Sequence, residues 1–134
     1  MRAQLARTPQ ELEEVLGPIA DAGVDVFDGS QRYFDRPEFE GSPLNLGGWA
    51  KRITGKAGMT VGGVGLAAAK TIDPAEAARE GRANVYKVAS RLRQGEFDLV
   101  GVGRALMNDF SWVERLRQDR PFKPLSPEAR RVLT

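Results

Sequence analysis

The stretch Phe97-Asp98-Leu99-Val100-Gly101-Val102-Gly103-Arg104 decides how this chain reads. Its first half is a short apolar, β-branched run of the kind that forms a buried parallel strand. Its second half is Gly-x-Gly-Arg, followed at once by the helix formers Ala105-Leu106-Met107. Glycines at a strand's carboxyl end let backbone N–H groups come close to a ligand, and arginine adds a planar, permanently charged fork suited to phosphate. A helix starting there points its positive end at the same place. The tetrad therefore reads as a phosphate cradle. Alone it is a weak motif, because a turn glycine beside a surface arginine is common.

Two similar stretches lie upstream. Val24-Asp25-Val26-Phe27-Asp28 ends in Gly29-Ser30, and Met59-Thr60-Val61 runs into Gly62-Gly63-Val64-Gly65. Helical patterns separate them. Thr8-Pro9-Gln10-Glu11 is a capping box, followed by Leu12, Val15, Leu16 and Ile19 at helical spacing and a stop at Gly23. A second helix carries Leu46, Trp49, Ala50 and Ile53 and stops at Gly55. Between them, Gln31 to Pro43 reads as a long loop. Residues 67 to 82 predict one or two short helical turns, with an Asp73-Pro74-Ala75-Glu76 cap. Asn84 then caps a third helix bearing Val85, Val88, Ala89 and Leu92, which stops at Gly95. After the third strand, Asp109 caps a last helix with Trp112, Val113 and Leu116. The tail 119–134, with three prolines from Pro121 on, is expected to be weakly ordered.

The order is thus α-β-α-β-α-β-α, with strands beginning near residues 24, 59 and 97. Such spacings suit βα units with right-handed crossovers between parallel strands. All three strands end in glycine or Gly-Ser, so their flexible ends gather on one face. Two folds suit the pattern: a small doubly-wound sheet, or a segment of a (β/α)8 barrel, whose phosphate sites commonly form at the ends of the last two strands. Glycine-rich ends on two consecutive strands favour the barrel. A complete barrel takes about 250 residues, so the 134 residues here would hold its last three strands.

Composition narrows the chemistry. The chain is 41% apolar and 28% charged, which places it among globular domains. A net charge of +2, with bases interleaved among acids, gives no reason to expect nucleic acid or membrane as a partner. No apolar run approaches the length of a membrane span, and the first residues lack a signal-peptide core. There is no cysteine, hence no disulfide framework, which fits the cytoplasm. There is no histidine either, so no imidazole acid/base, no His-based triad and no His-ligated zinc can be built from these residues. No catalytic residue and no metal ligand set is identified.

Several stretches together resemble the C-terminal part of the old yellow enzyme family. They are Gly23-Val24-Asp25-Val26-Phe27-Asp28-Gly29-Ser30, Phe39-Glu40-Gly41-Ser42, Leu44-Asn45-Leu46-Gly47-Gly48-Trp49, Thr60-Val61-Gly62-Gly63-Val64-Gly65 and Phe97 to Leu106. The resemblance runs in order from about residue 8 to about residue 120. It implies an FMN-dependent, NAD(P)H-consuming oxidoreductase of the ene-reductase type on a (β/α)8 barrel, with the strands here as the sixth, seventh and eighth. It further implies that Gly63, Val64, Gly65, Gly103 and Arg104 hold the FMN phosphate, and that the loop from Ser30 through Tyr33 to Phe34 lies near the substrate mouth. The acceptor implied is an activated alkene or similar small molecule. Two departures stand out. Phe110 replaces the proline usual after the family's Gly-Arg helix, and the strands that carry the family's substrate-gripping pair and proton-donating tyrosine are missing. The alternative is therefore a non-catalytic truncated remnant, or a half-barrel subunit that only binds a phosphate-bearing ligand and assembles with itself or with a complementary half-barrel.

Other residues read more plainly. Asp28 is expected to anchor its turn by a hydrogen bond, and Tyr33 and Phe34 either stack on a ligand or pack the loop. Trp49 and Trp112 are expected in the core, and the Arg91/Arg93 and Arg115/Arg117 pairs on solvated faces.

Overall fold

Thr8 starts the first helix: its Oγ1 accepts the Glu11 N–H at 3.2 Å, and Pro9 occupies the first turn, where no N–H is needed. In the computed structural model, which describes residues 5–68, 71, 73–126 and 129, this helix is α1, Pro9–Asp21. It is followed by β1 (Val26–Ser30), α2 (Leu46–Thr54), β2 (Ala57–Val61), α3 (Pro74–Arg93), β3 (Leu99–Gly101), α4 (Arg104–Asn108) and α5 (Trp112–Arg117). The three strands form one parallel sheet in the order β1-β2-β3. Parallel pairing brings the carboxyl ends of all three strands to one edge of the molecule.

Helix α2 lies directly on β1 and β2 because both sides of the contact lack side chains. A Cβ on Gly29 would stand 2.2 Å from the Gly47 nitrogen, and one on Gly58 would stand 2.5 Å from the Gly47 carbonyl oxygen. Leu12, Leu16 and Ala20 of α1 join Phe27, Phe39 and Ala50 in one apolar cluster. Phe34, Val64, Val85, Val88, Phe97, Ala105, Trp112 and Phe122 form a second, beneath the strand ends. Burying a side chain such as Phe34 or Phe97 stabilises the fold by roughly 1.5–3 kcal/mol. On the opposite face of the sheet, Val26, Asp28 and Ser30 are exposed, and so is Leu99, which stands in register with Met59 and Asp28.

Three elements differ from expectation. Residues 74–93 form one continuous helix capped by Asp73, whose carboxylate accepts the Glu76 N–H at 2.7 Å, so Asn84 sits mid-helix and caps nothing. Asp109 does not cap the last helix either. It ends α4, is buried, and forms an ion pair with Arg115 at 2.7 Å; Ser111 precedes α5. Arg91 is not on a solvated face. Its guanidinium is largely buried against Glu96 at 2.5 Å and also donates to the carbonyls of Phe34 and Pro43. A charge withdrawn from water needs such a full set of partners.

The expectation for residues 119–134 falls partly outside the described residues. Within them, Phe122 is buried against Trp112 with ring centroids 5.3 Å apart. Arg82 bonds both Asp119 and the Arg120 carbonyl, and Asn108 Nδ2 donates to the Lys123 carbonyl at 3.0 Å. Among the described residues, no helix is long and apolar enough to cross a membrane.

Candidate functional site

Three loops meet where the strands end. The first follows β1 and is fastened to the second by backbone bonds: the Gln31 N–H donates to Val61 and the Phe34 N–H to Gly62, each at 3.0 Å. The two backbones press together so closely that a Cβ on Gly62, which has φ 141°, would lie 2.1 Å from the Gln31 carbonyl oxygen. The fully buried Asn45 locks the far end of this loop. Its Nδ2 donates to the Phe34 carbonyl and to Thr60 Oγ1, both at 2.8 Å, while its Oδ1 accepts the Gly48 N–H. Tyr33 is thereby held at the site, with the Arg36 guanidinium stacked 4.5 Å from its ring centroid.

The second loop carries Gly63 and Gly65, both in the left-handed region at φ 70° and 74°. The Gly65 N–H donates to Asn84 Oδ1 at 2.9 Å, which ties this loop to α3. Gly65 has no room for a side chain, since a Cβ would come within 2.9 Å of the Trp112 ring. A Cβ on Gly63 would touch the Arg32 carbonyl and the Tyr33 ring at an ordinary 3.6 Å, so this glycine answers to its left-handed backbone conformation and not to crowding.

The third loop leaves β3 through Gly103 into the short helix α4. A Cβ on Gly103 would meet nothing within 4 Å, so protein packing does not account for the glycine. Arg104 follows it.

Between these loops and the tail lies a cavity of about 350 Å³, whose lining includes Arg32, Tyr33, Gly63, Gly65, Arg104 and Lys123. A volume of that size is at the small end of ligand pockets, roughly 300–1,000 Å³. Of the residues singled out from the sequence, Tyr33, Gly63, Gly65 and Arg104 line it. Val64 is buried in the apolar cluster underneath, and Gly103 is adjacent through Arg104 without lining the space. Ser30 stands apart on β1, its Oγ donating to Asp28 Oδ1 at 3.1 Å, an exposed bond between two side chains of the same strand and not the turn anchor expected of Asp28.

Sequence reasoning misses Arg32, Asn84 and Lys123. A base preceding a loop tyrosine is a usable signal for Arg32. Asn84 is hidden by its place in a helix, and Lys123 by a proline-rich setting whose composition signals only exposure.

Three of the lining side chains, Arg32, Arg104 and Lys123, are basic. Among the described residues, no carboxylate pairs with Arg32, Arg104 or Lys123. Asp35, which also lines it, is engaged by Lys87 at 2.6 Å. A larger cavity of about 740 Å³ lies between α2, α3 and the loop around Asp35. Its bases are already occupied: Lys51 by Asp98 at 2.8 Å, Lys87 by Asp35, Arg91 by Glu96, and Arg52 stacks on Trp49. It is a structural seam. Among the described residues there is no group of three His, Cys, Asp or Glu side chains that could hold a metal ion.

Fold and site together define a parallel α/β unit with a basic, glycine-lined cavity at the carboxyl ends of its strands. No protein-family model matches the sequence, and no curated protein matches it.

Proposed function

We propose that the cavity binds FMN by its phosphate, and that the chain is the flavin-phosphate-binding part of an NAD(P)H-dependent oxidoreductase of the ene-reductase type, built as the last three strands of a (β/α)8 barrel. The observation that carries this reading is the convergence of Gly63, Gly65 and Arg104 on one cavity at two neighbouring strand ends. Barrel enzymes commonly hold phosphate at such a place.

The residues present fit a phosphate monoester. Arg104 offers a bidentate, permanently charged fork with no carboxylate competing for it among the described residues. Gly103 has open space where a side chain would stand, so a ligand oxygen can come close to the backbone there, while Gly63 meets the Arg32 carbonyl and the Tyr33 ring at an ordinary 3.6 Å. In that role the site would hold FMN, which when bound would supply the hydride chemistry between NAD(P)H and an activated alkene. The chain's own residues bind and orient: Arg104 takes the phosphate beside Gly63, Gly65 shapes the loop while its N–H stays on Asn84, Gly103 brings the backbone into Arg104 next to the cavity, and Tyr33 stands at the cavity's lining.

A second reading is favoured by the exposed sheet face. Parallel sheets are ordinarily covered on both faces, yet Val26 and Leu99 are 43% and 46% exposed. On that reading the chain is a phosphate-binding subunit that assembles with itself or a complementary half-barrel and performs no chemistry alone.

Flavin titration tests the proposal. FMN is expected to bind more tightly than riboflavin, and Arg104→Ala to weaken FMN binding about tenfold to hundredfold while leaving riboflavin nearly unchanged. Equal losses for both flavins would make Arg104 structural and remove the phosphate assignment.

A further inference from the structure

We propose that the cavity is a three-cation phosphate-monoester site, in which Lys123 from the tail and Arg32 from the loop after β1 join Arg104 on the ligand's phosphate. This rests on the FMN reading of the cavity and adds two binding residues to it, one from the loop after β1 and one from the segment after α5.

The argument begins with charge. Arg32, Arg104 and Lys123 come from three separate segments and line one space of about 350 Å³. No carboxylate of the described residues pairs with any of them, and Asp35, the carboxylate at the same cavity, is held by Lys87. Arg32 and Lys123 are exposed and Arg104 is half-buried, so water screens their mutual repulsion while a multiply charged anion in the space between them is attracted to all three. A phosphate monoester carries close to two negative charges at neutral pH. It matches this site better than a singly charged carboxylate does.

The placement of Lys123 is built. Its backbone carbonyl is held by Asn108 Nδ2, and its neighbour Phe122 is buried against Trp112 beneath the Arg82 guanidinium. The main chain is thereby fixed, and among the described residues the ammonium has no partner, so its three donors stay open to a ligand. Asn84 completes the polar lining. Its Oδ1 is taken by the Gly65 N–H, which leaves its amide NH2 as the group available at the cavity.

The test uses the whole chain and three probes: FMN, riboflavin and inorganic phosphate, titrated by calorimetry and flavin fluorescence. Lys123→Ala is expected to weaken FMN and phosphate about tenfold and riboflavin less than about twofold, with Lys123→Arg retaining parental affinity. Arg32→Ala acts in the same direction and more weakly, because the Arg32 guanidinium is partly engaged over the Tyr33 ring, 5.8 Å from its centroid. If Arg104→Ala weakens FMN while Lys123→Ala and Arg32→Ala behave as the parent, the three-cation site is overturned and the flavin reading survives. If inorganic phosphate binds in a Lys123-dependent manner but FMN binds no better than phosphate, the flavin reading fails and the site stands. Absence of binding by both FMN and phosphate overturns both.

Discussion

Asn84 reaches from the middle of α3 to accept the Gly65 N–H at 2.9 Å, and this bond fixes the loop after β2 over the cavity. One turn earlier on the same helix, Gly81 lets the loop come close, since a Cβ there would stand 2.7 Å from the Gly65 carbonyl oxygen. Asn84→Ala is expected to destabilise the protein by about 1–2 kcal/mol, because it leaves a partly buried N–H without its acceptor. FMN affinity should fall in parallel. Chemical denaturation and flavin titration of the same variant check the pair of effects, and an unchanged FMN affinity would separate this bond from the site.

The glycines at the strand ends divide into two kinds, and substitution distinguishes them. Gly62→Ala forces a Cβ against the Gln31 backbone at a φ of 141°, and should destabilise by about 2–4 kcal/mol. Gly103→Ala meets no protein atom within 4 Å, so stability should change by less than about 1 kcal/mol while FMN binding is impaired. Melting curves and flavin titrations of both variants decide. A Gly103→Ala protein with parental FMN affinity would show that the backbone there does not approach the ligand.

Trp112 offers a contrast within one side chain. Its ring packs against Phe122 and beneath Gly65, but its buried Nε1–H has no hydrogen-bond partner among the described residues. Trp112→Ala should cost about 3–5 kcal/mol through lost packing. Trp112→Phe removes the unpaired donor and keeps most of the apolar volume, so a change within about 1.5 kcal/mol is expected. Urea unfolding of the two variants measures the difference.

Asp98 and Gly58 bind each other twice as the chain enters β3. The Asp98 N–H donates to the Gly58 carbonyl at 2.7 Å, and the Gly58 N–H donates back to Asp98 Oδ2 at 3.0 Å. The Lys51 ammonium on Oδ1, and then the Gly58 N–H, hold the Asp98 carboxyl below the usual carboxylate value. A carboxyl with a depressed native pKa lends stability that is present above its unfolded pKa and lost as pH falls through its native one. Stability should therefore decline below about pH 4, and Asp98→Asn should flatten that decline while lowering stability at neutral pH. Unfolding free energies measured from pH 2 to pH 7 check it.

The exposed sheet face predicts association. Val26 and Leu99 present apolar surface on β1 and β3, whose outer edges pair with no other strand among the described residues. Sedimentation is expected to show concentration-dependent self-association or aggregation, reduced in a Val26→Ser/Leu99→Ser variant. A sharply melting monomer at all concentrations would contradict it.

Much of the fold is legible in the sequence because its signals are local. Thr8 and Pro9 announce α1, Gly55, with φ 68°, closes α2 where the sequence suggests, and Asp73-Pro74 marks the cap of α3 although the sequence suggests only one or two turns after it. Residues whose partners lie far along the chain give no such signal. Arg91 has a charged neighbour at Glu96, yet its other acceptors, Phe34 and Pro43, belong to a distant loop. Asn84 reads as a cap because asparagine favours caps; only the folded position of Gly65 gives it another task. The glycines and Arg104 are visible as a pattern. Lys123 is not, since nothing adjacent to it records that Phe122 anchors the tail beside the cavity.

That anchoring also sets when the cavity comes into being. Its basic walls start at Arg32 and finish at Lys123, so they span most of the chain, and the last wall arrives only when Phe122 docks under Arg82. Contacts between such distant segments form late, after the loop-closure entropy of everything between them has been overcome. A ligand that needs Lys123 would engage the cavity only once Phe122 has docked, and its binding would in turn hold that docked tail in place.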